Sequence, residues 1–126
     1  MAPGRRGHAI LGVPGGPRGE PFIPEVGDVY LVNTILYSAS DPAAVRPAVV
    51  LEADPNPFRP IRVVTRTSDT SVRGVAHPAE SALGLERDGV WSDLTSVEQG
   101  RWREPDVRRL GTLREDVLGR VRARFS

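Results

Sequence analysis

The 126-residue chain has no cysteine and no lysine, and only two histidines. Without cysteine there is no disulfide framework, no thiolate zinc site and no cysteine nucleophile, so stability must come from ordinary packing. No apolar run approaches the roughly 18 residues of a membrane span, and the arginines near Met1 lack the apolar stretch of a signal peptide; the expected address is cytoplasmic. His8 and His77 stand far apart with no acidic cluster at ligand spacing, so neither a metal nor another cofactor is expected. A G-x-S-x-G elbow and a phosphate-binding glycine loop between strand and helix are also missing, which removes the usual serine-hydrolase and nucleotide-hydrolase readings. The formal net charge is only +1. A global basic field is therefore excluded, and any choice of partner must rest on local charge.

What is present fits one domain: the length and a 39% hydrophobic content suit a single buried core. All 17 basic residues are arginine. Arginine offers a planar fork of donors that matches phosphate and stacks on bases, whatever the origin of the bias. Residues 1–24 are crowded with Gly, Pro and Arg and keep no period, which predicts a disordered tail whose Arg5, Arg6 and Arg18 are solvated or touch phosphate weakly. The folded domain is expected over 25–126. Val26-Gly27-Asp28 is a turn signal before a strand at Val29–Val32, and further strands are expected at Pro47–Leu51 and Ile61–Thr67. Extended segments are expected at Val72–His77, Gly89–Leu94 and Ser96–Trp102, while Pro78–Leu85 fits a helical turn or an irregular strand equally. Thr112 with Glu115 predicts a capping box, and Leu113, Val117, Val121 and Phe125 repeat at helical spacing, so a helix closes the chain. Short strands with frequent turns and one helix predict a mainly β, barrel-like architecture.

Polar residues gather at the predicted strand ends: Arg46 before the second strand, Arg66, Thr67 and Ser68 at the end of the third, and Asp93 in the fifth. Converging on one rim, an arginine and a hydroxyl bind a phosphodiester and stabilise charge building on phosphorus. RNA brings its own nucleophile, the ribose 2′-hydroxyl, so such a site needs positioning, a proton acceptor, a proton donor and a cation. The same residues also fit a purely structural reading, with Arg46 paired to a carboxylate such as Asp28 and Thr67 serving as a β-former.

At these residues the sequence resembles the MazF/PemK (Kid) family of toxin endoribonucleases. The likeness runs in order through Gly27-Asp28-Val29-Tyr30, Arg46-Pro47-Ala48-Val49-Val50-Leu51, Val63-Val64-Thr65-Arg66-Thr67-Ser68, Asp88-Gly89-Val90, Ser92-Asp93-Leu94, Ser96-Val97 and Leu110-Gly111-Thr112-Leu113 into the last helix. It implies an SH3-like barrel, a homodimer, metal-independent and sequence-selective cleavage of single-stranded RNA to 2′,3′-cyclic phosphate and 5′-hydroxyl ends, and a cognate antitoxin whose disordered tail covers the RNA groove. It also implies catalytic roles for Arg46 and Thr67. Asp93 falls where some PemK-like members place a catalytic aspartate, but Trp91 stands where those members carry an arginine, so Asp93 is either catalytic or structural. An arginine with a pKa above about 12 is a poor general base, so Arg46 is assigned to electrostatic stabilisation and the base stays unassigned. His77 is a candidate base or substrate contact, or else structural. Arg66, Ser68, Tyr37 and Arg73 are candidate substrate contacts, since unstacked bases need platforms and hydrogen-bond partners. Trp91 and Trp102 are platforms or core residues. Two other classes stay open: a non-catalytic toxin on the same barrel that poisons DNA gyrase, and a silent module that binds RNA or a regulator.

Overall fold

A computed structural model describes residues 19–38 and 44–126. The expectations for Arg5, Arg6, His8 and Arg18 lie outside the described residues. The elements are β1 (Asp28–Asn33), β2 (Val45–Glu52), β3 (Ile61–Thr67), β4 (Val75–His77), β5 (Gly89–Val97), β6 (Val107–Thr112) and α1 (Glu115–Phe125). They form a six-stranded antiparallel sheet in the order β4-β5-β3-β2-β1-β6. The sheet curls: α1 packs on β4, and β6 approaches the 3-10 turn Ser81–Leu83 at the other edge. Gly111, at the β6 end of this approach, has φ 155°, and a Cβ there would stand 2.6 Å from Leu83 Cδ2. A side chain there would be strained by the backbone conformation and would require the end of the Leu83 side chain to shift.

Strand alternation buries both faces of the sheet. One face gathers Val29, Val49, Val64, Trp91, Leu113, Val117 and Val121 into a cluster closed by α1. The other gathers Tyr30, Val32, Ala48, Val50, Ile61, Val63, Val97, Trp102 and Val107. Val117 and Val121 lie four apart and are fully buried, so they share one helix face; burying each is worth about 1.5–3 kcal/mol. Trp102 stands edge-on to Tyr30 with ring centroids 5.0 Å apart and closes the second face. Residues 19–24, expected in the disordered tail, run alongside it. The amide of Gly19 donates to Glu104 O at 2.8 Å, that of Phe22 donates to Trp102 O at 3.1 Å, and Pro24 is buried.

Four local expectations need correction. Gly89–Val97 is one strand, and the expected second strand at Ser96–Trp102 is replaced by a 3-10 turn at Gln99–Arg101 that swings Trp102 into the core. The segment Val72–His77 is a strand only from Val75, because Asp69 Oδ1 draws the Ser71 amide back into a turn at 3.0 Å. The strand β6 had no counterpart among the expected strands. Thr112 caps nothing: it ends β6, its hydroxyl donates to Asp28 Oδ1 at 3.3 Å and accepts from Arg109 Nη2 at 2.8 Å. Arg114 occupies the N-cap position without a side-chain cap bond. Glu115 and Asp116 in the first turn, and Arg122 and Arg124 in the last, still complement the helix dipole. Asp28, the carboxylate considered as a partner for Arg46, accepts from Arg109 Nη2 at 3.2 Å.

Candidate functional site

The registers align the candidate residues before any side chain is considered. Ala48 of β2 pairs with Thr65 of β3, and Thr65 pairs with Asp93 of β5. Ala48 and Val50, Ile61 and Val63, and Val97 all belong to the second cluster. By the period of two, Arg46, Thr65, Thr95 and Asp93 share that cluster's face and continue its rows past the last apolar residue. Between Thr65 and Arg66 the register shifts: Thr65 faces Asp93 but Arg66 faces Trp91, so Ser92 is the extra residue of a bulge. Bulges of this kind re-aim side chains beside functional sites.

The result is an open cleft of about 700 Å³. Of the eight residues singled out in the sequence, Arg46, Thr67, Asp93, Tyr37, Arg66 and Arg73 line it. Ser68 is exposed just beyond β3 and is not in the wall. His77, on β4, is also outside: it is 3% exposed, its ring stacks on Trp91 at 5.9 Å, and Nε2 shares a hydrogen bond of 2.9 Å with Glu80 Oε1. As a base for this cleft it is out of reach. Both tryptophans are fully buried, so neither offers a platform to a ligand.

Arg66 touches the cleft, but its guanidinium faces the other way. Nη2 donates to His77 O at 2.8 Å, to Arg87 O at 3.0 Å and to Pro78 O at the longer 3.4 Å. Cζ sits 5.7 Å from the centroid of the Trp91 ring. Burial lowers the guanidinium pKa, opposed by Asp88 and Glu80. The expected substrate contact is thus occupied by protein carbonyls, a correction that follows from burial, which local spacing does not reveal.

The remaining cations of the cleft, Arg46, Arg73 and Arg124, are exposed and outnumber its one carboxylate among the described residues, Asp93. Thr67 Oγ1 accepts the Asp69 amide at 3.1 Å, which uses one lone pair and leaves the hydroxyl proton to be donated. Asp69 in turn accepts Ser71 Oγ at 2.6 Å, and that hydrogen bond, with one from the Ser71 backbone, lowers its pKa. The loop after Thr67 is therefore braced by two consecutive side-chain turns. Tyr37 follows the 3-10 turn Thr34–Leu36, begun by Asn33 Oδ1 accepting the Ile35 amide, and packs on the second cluster at the cleft wall. Asp93 is exposed, with Oδ2 accepting Ser92 Oγ at 3.0 Å. Among the described residues no three His, Asp or Glu side chains gather as a metal would require. The arrangement can hold an anionic chain along exposed guanidinium groups and offer it a hydroxyl donor and a carboxylate.

Thr65, Thr95 and Arg124 were not anticipated. The two threonines stand two residues from Thr67 and Asp93 on the same strands, so alternation could have found them. Arg124 reaches the cleft from the end of α1, and no local signal in the sequence marks it.

The sequence matches no family model and no curated protein. Solved structures do resemble it. A crystal structure of MazE–MazF (form III) from Deinococcus radiodurans aligns at TM-score 0.56 and 18% identity, over 81% of this chain and 91% of that one. Form II of MazE–MazF from the same organism gives 0.57 and 18%, over 81% and 90%. MazF alone (form I) gives 0.58 and 19%, over 81% and 92%. The chain has a MazF-like fold.

Proposed function

We propose that this MazF-like chain is the toxin of a toxin–antitoxin pair and that it cleaves single-stranded RNA in the cleft between β2, β3 and β5 without a metal ion. The observation that carries this reading is that Arg46 and Thr67, contributed by separate strands, line one open cleft together with Asp93. The 2′-oxygen attacks phosphorus, the bond to the 5′-oxygen breaks, and the products are a 2′,3′-cyclic phosphate and a 5′-hydroxyl. Arg46 balances the negative charge that grows on the phosphoryl oxygens, and the Thr67 hydroxyl donates to one of them. Both act on charge that develops in the transition state, where a fixed donor is worth most. Asp93, the one carboxylate lining the cleft among the described residues, is the candidate acceptor of the 2′-hydroxyl proton, and the 5′-oxygen takes up a proton from solvent as it leaves.

Tyr37 and Arg73 on the walls are the proposed base contacts. The exposed arginines also suit an acidic antitoxin segment that would compete with RNA for the cleft. The chain is proposed to act in the cytoplasm as a homodimer; among the described residues no helix is long and apolar enough to cross a membrane. A cation-lined groove that also holds the exposed carboxylate of Asp93 favours RNA chemistry over gyrase poisoning, which needs no such cleft. Purified protein is expected to cut a mixed single-stranded RNA pool in the presence of EDTA and to leave cyclic-phosphate ends, while Arg46→Ala removes most of the rate. RNA left intact by the wild type, or cutting abolished by EDTA, overturns the reading.

A further inference from the structure

We propose that Arg66 is a positioning residue: its buried guanidinium ties the end of β3 to the segments at residues 77–78 and 87 and thereby sets the direction in which Thr67 faces the cleft. The inference rests on the functional reading above for its kinetic consequence, though not for its structural one.

Three observations carry it. The first is the bulge. After Thr65 the pairing of β3 with β5 skips a residue, so the last two residues of β3 are held in a register that the preceding ladder does not dictate. Something must fix that register, and Arg66 is the residue immediately past the skip. The second is the bonding of its side chain: one nitrogen meets carbonyls from both ends of the connection between β4 and β5, and the guanidinium plane lies near Trp91, the residue paired with Arg66 across the sheet. A cation 5% exposed whose Nη2 donates to His77 O and Arg87 O, with Pro78 O at a longer 3.4 Å, is a strong tie, because bonds to a charged donor are stronger than neutral ones and their loss leaves the buried His77 carbonyl without this donor.

The third observation is Gly89. A Cβ there would stand 2.7 Å from Cζ and Nη1 of Arg66 and 2.7 Å from the carbonyl oxygen of Thr67. The absence of a side chain at 89 is therefore what lets the guanidinium pass between β5 and its three acceptors. The same gap lets the Thr67 backbone close on β5. Arg66 and Gly89 are two halves of one latch, with Thr67 directly attached to it.

Charge and position predict different behaviour for conservative variants. Lysine keeps the charge but has neither the planar fork nor the stacking surface. If Arg66 positions Thr67, Arg66→Lys in the full chain cuts a mixed single-stranded RNA pool at least about tenfold more slowly at saturation, with the RNA concentration for half-saturation unchanged. The salt dependence of RNA binding also stays as in the wild type, whereas a lost phosphate contact would make it shallower by roughly 0.7 per contact. In both Arg66→Lys and Gly89→Ala the methyl NMR signal of Thr67 shifts while the thermal transition remains cooperative. Full-rate cutting by Arg66→Lys, a shallower salt slope in Arg66→Met, or a Thr67 signal unmoved in the folded variants each overturns the proposal. If wild-type protein cuts no RNA, the functional reading fails, and the Thr67 signal alone still decides the latch; if Arg66→Met does not fold, Arg66→Lys and Gly89→Ala decide it.

Discussion

The two apolar clusters on opposite faces of the sheet end differently. The first gathers Val117 and Val121 of α1, with Leu113 just before the helix, together with Val29, Val49 and Trp91. The second contains Trp102, with the segment of residues 19–24 alongside, and gives way to polar residues toward the cleft. Beyond Val63 and Val97 the same rows continue as Thr65 and Thr67 on β3 and as Thr95 and Asp93 on β5, and these line the cleft. A site of this kind is the polar continuation of a core, held rigid because its apolar half is packed. The helix-covered face has no such row of polar residues, and it meets the cleft through Leu94 and through Arg124 of α1.

If that contrast is right, Trp102→Ala is the most damaging single change: deleting a fully buried indole should cost about 3–5 kcal/mol in urea unfolding. A loss below about 1 kcal/mol would mean that the second face is not a core at all. Arg46→Ala should lower the cleavage rate by about 100- to 1000-fold, as removal of a transition-state donor does elsewhere, and leave the urea midpoint where it was. Coupled loss of rate and stability would erase the distinction between the packed and polar halves. Thr67→Ala should slow single-turnover cleavage by about tenfold to a hundredfold, the value of a hydrogen bond to a charged group, with Thr67→Ser recovering most of it.

The smallest effect lies on the helix-covered face, at the exposed start of α1. A hydrogen bond from Arg114 holds the Asp116 carboxyl at about 2, below its ordinary 3.8. A depressed folded-state pKa means a contribution that is complete above the ordinary value and is lost as pH falls from there through about 2. Asp116→Asn should remove that small acid-side slope from the pH dependence of the melting temperature and change nothing near neutrality. The group is fully exposed, so solvent screens the pair and the effect is slight.

How much of this could be read from the chain varied with the kind of signal. Ile61–Thr67 was legible to the residue, because β-branched residues fill it and Pro60 precedes it. The spacing of Val117 and Val121 likewise gave the buried face of α1. β6 was not legible: Arg108 and Arg109 sit side by side in it, Gly111 breaks the period, and no alternation survives. The Thr112–Glu115 pair has the spacing of a cap, but Asp28, over eighty residues away in sequence, claims the hydroxyl. For the cleft, strand-end positions and the family likeness brought out Arg46, Thr67 and Asp93. Arg66 was misread as a ligand group since neither burial nor three distant carbonyls can be seen in V-T-R-T. Nor does anything near Arg124 announce that the helix ends beside β2 and β3.

That last placement has a consequence for biosynthesis. The walls of the cleft come from residues as early as Tyr37 and as late as Arg124. A growing polypeptide that has emerged only as far as β3 displays Arg46 and Thr67 with nothing opposite them. The groove takes shape only once β5 has been threaded alongside β3 and the final turn of α1 has left the ribosome, so its assembly waits on long-range pairing, the slow part of folding. The surface thus comes into being only after α1 has joined the sheet.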